Sequence, residues 1–261
     1  KLDPETAHNL AIKSLKFNFV PNILDEDKDN PLFKTKLFNR DLDNPVGMAA
    51  GFDKNAEVYN SLFKLGFGFV EVGTVTPFKQ FGNPKPRVFR LVEDEALINR
   101  LGFNNSGAMK VLDHIKLNKP NGLLGINIGP NKDTKDRLND YIECLKTFYE
   151  VADYITINIS SPNTEDLRNF HEQKKLNELL DLINKEKKIL NSKIPIAVKV
   201  SPDIEAQEID KICEVLLNND IKVIIISNTS DSSRENLSNI QSHQKGGLSG
   251  KPIEKIYKIN K

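Results

Sequence analysis

Six short, largely β-branched apolar runs punctuate the chain at 46–50, 69–74, 123–128, 154–159, 194–200 and 223–227. They are nearly all apolar, as expected for parallel strands buried on both faces rather than strands with one face in water. Longer segments of helical period lie between them, at 56–65, 107–117, 133–152, 174–190 and 206–219. Parallel strands need crossovers of a dozen or so residues, and helices usually supply them. The alternation therefore predicts a parallel α/β fold, either a doubly wound open sheet or a (β/α)8 barrel.

The polar residues favour the barrel. Nearly every run ends at its C-terminal side in a polar or glycine cluster: Ala50-Gly51-Phe52-Asp53-Lys54, Gly73-Thr74, Asn127, Asn158 with Ser160-Ser161-Pro162-Asn163, Lys199, and Ser227-Asn228-Thr229. A barrel gathers all its strand C-termini at one mouth, whereas an open sheet concentrates function at a switch point. Two insertions interrupt the alternation. Segments 35–38 and 41–46 read as a hairpin plugging the barrel floor, and 86–92 with 96–101 as a second hairpin on the mouth side. A helix is expected over 3–19, with Leu10, Ala11, Leu15 and Phe19 as its apolar face.

Six βα units are visible where a barrel has eight. Residues 250–261 read as the start of the helix after the sixth strand, so the chain is expected to lack its last two units. It starts at Lys1 without methionine and stops mid-pattern at Lys261, so both ends are expected to have been cut from a longer protein. The domain reading is an N-terminal helical extension over 1–20 and an incomplete barrel over 21–261.

Composition removes several functions. Lys and Arg number 37 and Asp and Glu 36, a net charge of +1 without the basic excess of a nucleic-acid binder. Cys144 and Cys213 stand far apart with no CxxC pair, which argues against a disulfide scaffold or a structural zinc site. No apolar run approaches the roughly 18 residues of a membrane span. The strand ends carry amides (Asn99, Asn104, Asn105, Asn127, Asn158, Asn163, Asn228), Lys54 and Lys199, Ser161 and Thr164, but no His and no carboxylate pair. Metal-dependent and glycoside hydrolysis are disfavoured by those gaps.

Each Asn offers one acceptor and one donor group, so a ring of them suits a heterocycle alternating C=O with N–H, such as a pyrimidine. A single Asn after a strand is more often a turn or cap residue; several strand ends together are not. Lys199 ends a run of wholly apolar type and would stabilise a charge developing in the mouth. The alternative is a lysine snorkelling at a strand end.

Seven blocks together resemble the dihydroorotate dehydrogenase family, in that family's order and over nearly the whole chain. They are Asn44-Pro45-Val46-Gly47-Met48-Ala49-Ala50-Gly51-Phe52-Asp53-Lys54, Glu71-Val72-Gly73-Thr74-Val75-Thr76-Pro77 and Pro86-Arg87-Val88-Phe89-Arg90-Leu91. There follow Ile98-Asn99-Arg100-Leu101-Gly102-Phe103-Asn104-Asn105 and Gly125-Ile126-Asn127-Ile128-Gly129. Asn158-Ile159-Ser160-Ser161-Pro162-Asn163-Thr164 and Gly246-Gly247-Leu248-Ser249-Gly250 complete the set. Serine at 161, where the soluble class carries cysteine, matches the membrane-associated, quinone-reducing class. So does the N-terminal helix, which resembles the second of that class's two quinone-entry helices.

The resemblance implies oxidation of dihydroorotate to orotate in pyrimidine biosynthesis, with FMN as hydride acceptor and a quinone as final acceptor. It implies Ser161 as the base removing the C5 proton, relayed through Thr164 and a water. Ala50, Gly51, Lys54, Thr74, Asn127, Asn158, Lys199, Ser227 and Gly250 would hold FMN, Gly250 towards its phosphate. Lys54, Asn99, Arg100, Leu101, Gly102, Phe103, Asn158, Asn163, Asn228 and Thr229 would hold substrate. Arg90 would face the quinone channel, or be an ordinary hairpin surface arginine. The family rests the FMN phosphate on loops after strands seven and eight, which this chain is expected to lack. Peripheral attachment to the cytoplasmic side of the cell inner membrane, or to the mitochondrial inner membrane in a eukaryote, would follow. Alternatives are another FMN barrel acting on a dihydropyrimidine, and an inactive fragment.

Overall fold

The computed structural model describes residues 2–17, 31–164, 166–232 and 234–254. In chain order come helix α1 (Pro4–Lys16), the hairpin β1 (Thr35–Leu37) and β2 (Arg40–Leu42), β3 (Gly47–Met48), α2 (Tyr59–Lys64) and β4 (Phe69–Val75). A second hairpin, β5 (Val88–Leu91) and β6 (Ala96–Asn99), precedes α3 (Ala108–Leu117), β7 (Leu123–Ile128), α4 (Arg137–Phe148) and β8 (Tyr154–Asn158). Then follow a 3-10 turn (Leu167–His171), α5 (Gln173–Ile189), β9 (Ile196–Val200), α6 (Ala206–Asn218), β10 (Val223–Ile226) and β11 (Gly247–Gly250).

All six apolar runs contribute strands to one sheet, ordered β3-β4-β7-β8-β9-β10, with every neighbouring pair parallel. This is the expected α/β architecture, an incomplete (β/α)8 barrel. Strand alternation sorts its two faces. Val70, Val72, Leu124, Ile126, Ile155, Ile157, Ile196 and Val198 pack outward into the helix layer with Leu112, Tyr141, Leu145, Phe148, Leu180 and Leu216. The inward positions are apolar at the strand starts and polar towards the ends. Phe69, Leu123, Tyr154 and Ala197 pack with Leu42 and Phe38 of the first hairpin, which plugs the floor as expected. Glu71, Asn127, Thr156, Asn158 and Lys199 lie above them and are buried.

Several boundaries and faces differ from expectation. The run at 46–50 pairs only over Gly47–Met48. The helix expected over 56–65 starts at Tyr59, because Ala56 has a positive φ of 53° and the buried Asp53 carboxylate takes the Glu57 and Val58 N–H groups. Asp136 accepts from Asn139 N and starts α4 four residues later than expected. The apolar face of α1 is also corrected. Ile12 is buried and Leu15 half-buried, but Leu10 is 55% exposed, and Phe19 lies outside the described residues. Ser61 Oγ bonds Leu15 O and Arg87 binds Glu5, so the stripe of residues 5, 8, 12 and 15 faces the barrel.

The segment after β10 is corrected too. Gly247–Gly250 is a strand paired antiparallel with Ala96–Asn99, where it satisfies the free edge of the second hairpin. A 3-10 turn (Lys251–Ile253) follows it, and 255–261 lie outside the described residues.

Candidate active site

The inward-facing carboxylate of Glu71 sets the direction of a hydrogen-bond chain across the strand ends. Glycine at 125 makes room for the Tyr154 ring that reaches this carboxylate: a Cβ there would stand 2.1 Å from the ring. Tyr154 OH and Thr156 Oγ1 donate to Glu71 Oε2 at 3.0 and 2.7 Å, and Asn127 Nδ2 donates to Oε1 at 2.9 Å. A carboxylate only accepts, so Asn127 must turn its Oδ1 the other way. Thr74 Oγ1 donates to that oxygen at 2.6 Å, and Asn158 Nδ2 reaches both Asn127 Oδ1 (3.1 Å) and Thr74 Oγ1 (2.9 Å). Asn158 Oδ1 accepts from Ser160 N and Oγ at 3.1 and 2.6 Å, and Asn228 Nδ2 donates to Ser160 Oγ at 2.9 Å. Thr229 N closes on Asn228 Oδ1 at 2.8 Å. Four strand ends are thus joined by side chains in fixed orientation.

Lys199 stands beside this chain, directly opposite Asn158 in the strand register. It is buried, and among the described residues its ammonium has no hydrogen-bond or ion-pair partner. Burial pulls its pKa down, opposed by the charge of Glu71.

Ser161 is buried on the loop after β8. Its Oγ accepts from Asn163 N at 3.2 Å, and no described residue accepts its hydroxyl hydrogen. Asn163 Nδ2 bonds Asn99 O at 3.1 Å, tying this loop to the second hairpin. Thr164 is buried nearby in sequence without a described side-chain partner. Gly51 has φ +108°, which glycine adopts freely, and its N–H bonds Gly73 O at 2.8 Å, holding the Ala50–Gly51 turn against β4. Ser227 is half-buried, with its hydroxyl near Asn228 O.

A cavity of about 310 Å³ opens between α1, the 51–57 loop and the second hairpin. His8, Lys54, Arg90, Leu97, Leu101 and Asn104 are among its lining residues. Lys54 has no described polar partner; burial, together with the charge of Arg87, lowers its pKa to about 8, with Glu5 opposing. Burial also lowers His8, and Lys54 adds to this. Arg90 faces this cavity while its Nη1 holds Leu2 O at 2.7 Å.

Other expected site residues stand apart. Arg100 turns away to Pro86 O, Gln244 and Lys245 O, and stacks over Phe89 at 4.6 Å. Gly102 and Phe103 take positive φ angles of 71° and 51° at the turn leading to Asn104. Gly250 is paired with Ala96 in β11, the strand that also bridges Ser230 through Leu248.

Two functional candidates escaped the role assignments made from sequence. Asn104 Oδ1 is buried without a hydrogen-bond partner among the described residues, and Asn104 lines the cavity with Lys54. Glu71 was visible as a lone carboxylate inside an apolar strand run, a placement that a structure tolerates only when the charge is fully hydrogen-bonded.

The residues present fit a flat, hydrogen-bonding flavin. A buried unpartnered cation, strand-end amides of both polarities and the open turn at Gly51, where a Cβ would meet nothing within 4 Å, are what such a ring system would need.

Residues 32–258 match the family model described as dihydroorotate dehydrogenase. The dihydroorotate dehydrogenase (quinone) of Bartonella tribocorum is 48% identical over 259 residues, spanning 97% of this chain and 70% of the relative. That of Rhizobium rhizogenes is 46% identical over 257 residues, again 97% and 70%. Among solved structures, ligand-free dihydroorotate dehydrogenase from Eimeria tenella superposes with a TM-score of 0.91 at 36% identity, covering 98% of this chain and 77% of that one. The ferulenol complex of the same protein gives 0.90 at 35%, with the same coverage. Sequence and fold agree over nearly the whole length, and the chain belongs to the dihydroorotate dehydrogenase family.

Proposed function

We propose that this protein oxidises dihydroorotate to orotate, the dehydrogenation of pyrimidine biosynthesis, and delivers the electrons to a quinone. The family membership supports the reaction, and the quinone in the names of the bacterial relatives supports the acceptor. The observation that carries the chemistry is Ser161: a buried hydroxyl whose hydrogen no described residue accepts, on the loop after β8 between Asn158 and Asn163.

In this reading FMN, when bound, supplies the two-electron acceptor for hydride leaving C6. Ala50, Gly51, Thr74, Asn127 and Ser227 would hold its ring system, with Gly250 towards the phosphate. Lys199 would present a positive charge to that ring system, the kind of electrostatic support that matters most in a buried site. Ser161 takes the C5 proton. A serine is a weak base, so it must pass its own hydrogen on as it does so, and Thr164 with a water is the relay in this reading.

Asn158, Asn163, Asn99 and Asn228 orient the substrate ring, and Thr229 supports Asn228. Lys54, at the inner end of the cavity beneath α1, meets the substrate carboxylate. Leu101, Gly102 and Phe103 shape the adjoining wall. Arg100 acts by bracing the hairpin through Pro86 O.

The cavity beneath α1 is the proposed quinone entrance, with Arg90 and His8 at its wall. Leu2, Leu10 and Phe17 are exposed on and beside α1 and would rest on a membrane surface. No helix among the described residues is long and apolar enough to cross a membrane, so the attachment is peripheral in this reading, on the cytoplasmic face of an inner membrane or on the mitochondrial inner membrane. Residues 1–20 then belong to the quinone-entry extension and 21–261 to the FMN barrel.

The test is spectroscopic. Purified protein supplied with FMN should show a bound-flavin spectrum that bleaches on adding dihydroorotate without oxygen and returns on adding a quinone. Bound flavin that dihydroorotate does not bleach would sink the reading.

A further inference from the structure

The loop that carries Ser161 leaves the barrel wall at Asn158 and returns to it at the 3-10 turn. Apart from the Asn158 contacts to Ser160, its hold on the site consists of a few single bonds, such as Asn163 Nδ2 to Asn99 O. The turn itself is fastened from outside. Burial pushes the His171 pKa down to about 4, so the imidazole is neutral. Its Nδ1 faces Arg168 O at 2.8 Å, and Ser201 N donates to its Nε2 at 3.3 Å. A carbonyl accepts and an amide N–H donates, which fixes Nδ1 as the protonated nitrogen.

From that fastened turn the Arg168 side chain reaches back over the loop. Its Nε donates to Ser160 O at 3.2 Å, the carbonyl of the peptide that leads into Ser161. Its Nη1 donates to Asp203 Oδ2 at 3.0 Å and Asp231 Oδ1 at 2.6 Å, and its Nη2 to Thr229 O at 3.2 Å. One guanidinium therefore joins the loops after β8, β9 and β10. The side chains of Arg168 and Asp203 are only 22% and 13% exposed, unlike an ordinary surface pair. Asp203 is itself held by the hydroxyls of Ser230 and Ser232 and by Asp231 N. Burial would raise its carboxyl pKa, but these hydrogen bonds outweigh burial and keep it below the ordinary value.

We propose that Arg168, braced by Asp203, is the positioning residue of the proton-transfer step. It fixes the Ser160–Ser161 peptide against the Asn228–Thr229 segment, so that the base and the amides holding the substrate ring keep one relative geometry. The inference rests on the reading of Ser161 as the base. A weak base without a histidine depends on placement, and a misplacement of about 1 Å can cost on the order of 100-fold. A planar fork suits this task where a flexible ammonium does not, because several acceptors in different directions must be met at once.

The test uses FMN-loaded protein and follows anaerobic flavin reduction by dihydroorotate, unlabelled and deuterated at C5 or at C6. Arg168→Gln should slow reduction about 10- to 100-fold. FMN content and orotate affinity should stay within about twofold of the unsubstituted protein. The C5 isotope effect should rise while the C6 effect does not, because only removal of the C5 proton is impaired. Arg168→Lys should fall between, and Lys175→Ala, which removes an exposed pair with Glu172, should react at the normal rate. If Arg168→Gln fails to fold, Asp203→Asn carries the same comparison, since it keeps the shape and most of the partners. A slower rate with an unchanged C5 isotope effect would mean fewer competent molecules, a merely structural role, and would overturn the proposal. An unchanged rate would overturn it as well. No bleaching in the unsubstituted protein would overturn the dihydroorotate reading and this proposal together, so the two failures are distinguishable.

Discussion

Arg87 grips Glu5 with two parallel hydrogen bonds, Nη2 to Oε1 at 2.6 Å and Nε to Oε2 at 3.1 Å, and so clamps α1 onto the second hairpin. The remaining Arg87 nitrogen holds Phe81 O and Asn83 O at 2.6 and 2.9 Å. The pair is largely buried, with side-chain exposures of 7% and 14%. The roof of the cavity that holds His8, Lys54 and Arg90 is pinned by this ion pair, together with Lys85 Nζ at 3.3 Å from Glu5 Oε1 and Lys16 paired with Glu57.

Removing one partner should undock the roof. Arg87→Met leaves the largely buried Glu5 carboxylate with only the exposed Lys85 ammonium, 3.3 Å away, and breaking a buried pair costs at most about 3–5 kcal/mol. The loss should appear as faster amide exchange in α1 while β7 and β8 stay protected. Adding Glu5→Met should recover most of it, because two well-packed apolar groups replace the pair. Quinone turnover should drop in Arg87→Met while flavin reduction by dihydroorotate persists. Equal loss of both half-reactions would contradict a quinone route beneath α1.

The same pair makes docking acid-sensitive. Hydrogen bonding from Arg87 holds the Glu5 pKa below its ordinary 4.5, against the effect of burial. A carboxyl lowered on folding stabilises above its unfolded pKa, and that stability disappears as pH falls through the folded value. Exchange in α1 should therefore accelerate only below about pH 4.5. Acceleration already near neutral pH would exclude Glu5 as the cause.

Lys54 should impose an alkaline limit on ligand binding. Its pKa of about 8, set first by burial and then by Arg87, means that the free site loses this charge as pH rises through that value. A carboxylate ligand needs the charged form, so orotate affinity should weaken about tenfold between pH 7 and pH 9. Lys54→Met should bind more weakly and lose the pH dependence. Orotate titrations read by the flavin spectrum would check both.

Ser161→Ala should slow flavin reduction by about 10²–10⁴ while leaving FMN and orotate binding nearly intact, the loss expected for one positioned base. Ser161→Cys should keep part of the activity with a shifted pH profile, since a thiol ionises more easily. Stopped-flow reduction against pH separates the two. A normal rate in Ser161→Ala would remove this residue from the chemistry.

Lys199→Ala should weaken FMN retention and slow reduction together. The exposed neighbour Lys193→Ala should do neither. Flavin content after gel filtration, with the reduction rate, distinguishes them, and equal effects from the two lysines would refute a special role for Lys199.

Much of the barrel was legible along the chain because strand and helix periods are local. The alternation of outward Ile126, Ile155 and Val198 with inward Asn127, Thr156 and Lys199 follows from a two-residue repeat, whatever the strands later pair with. The floor hairpin and the polar strand ends were readable for the same reason. Boundaries were less so: Asp53 and Asp136 decide where α2 and α4 begin through hydrogen bonds whose geometry no propensity contains. The docked face of α1 was misjudged because Leu10 and Ile12 are equally apolar, and only the partners Arg87 and Ser61 choose between them.

Thus the sequence by itself determined a parallel sheet, the order of its units, and which residue types stand where each strand ends. Those properties depend on neighbours a few positions away. Only the tertiary structure decided which distant groups meet. Glu71 orients Asn127 across 56 positions, Asn163 reaches Asn99 across 64, and Arg168 gathers Ser160, Asp203, Thr229 and Asp231 from three loops. The physical reason is that a hydrogen bond is satisfied by distance and angle in space, and the chain carries that information only once pairing of the strands brings their ends together.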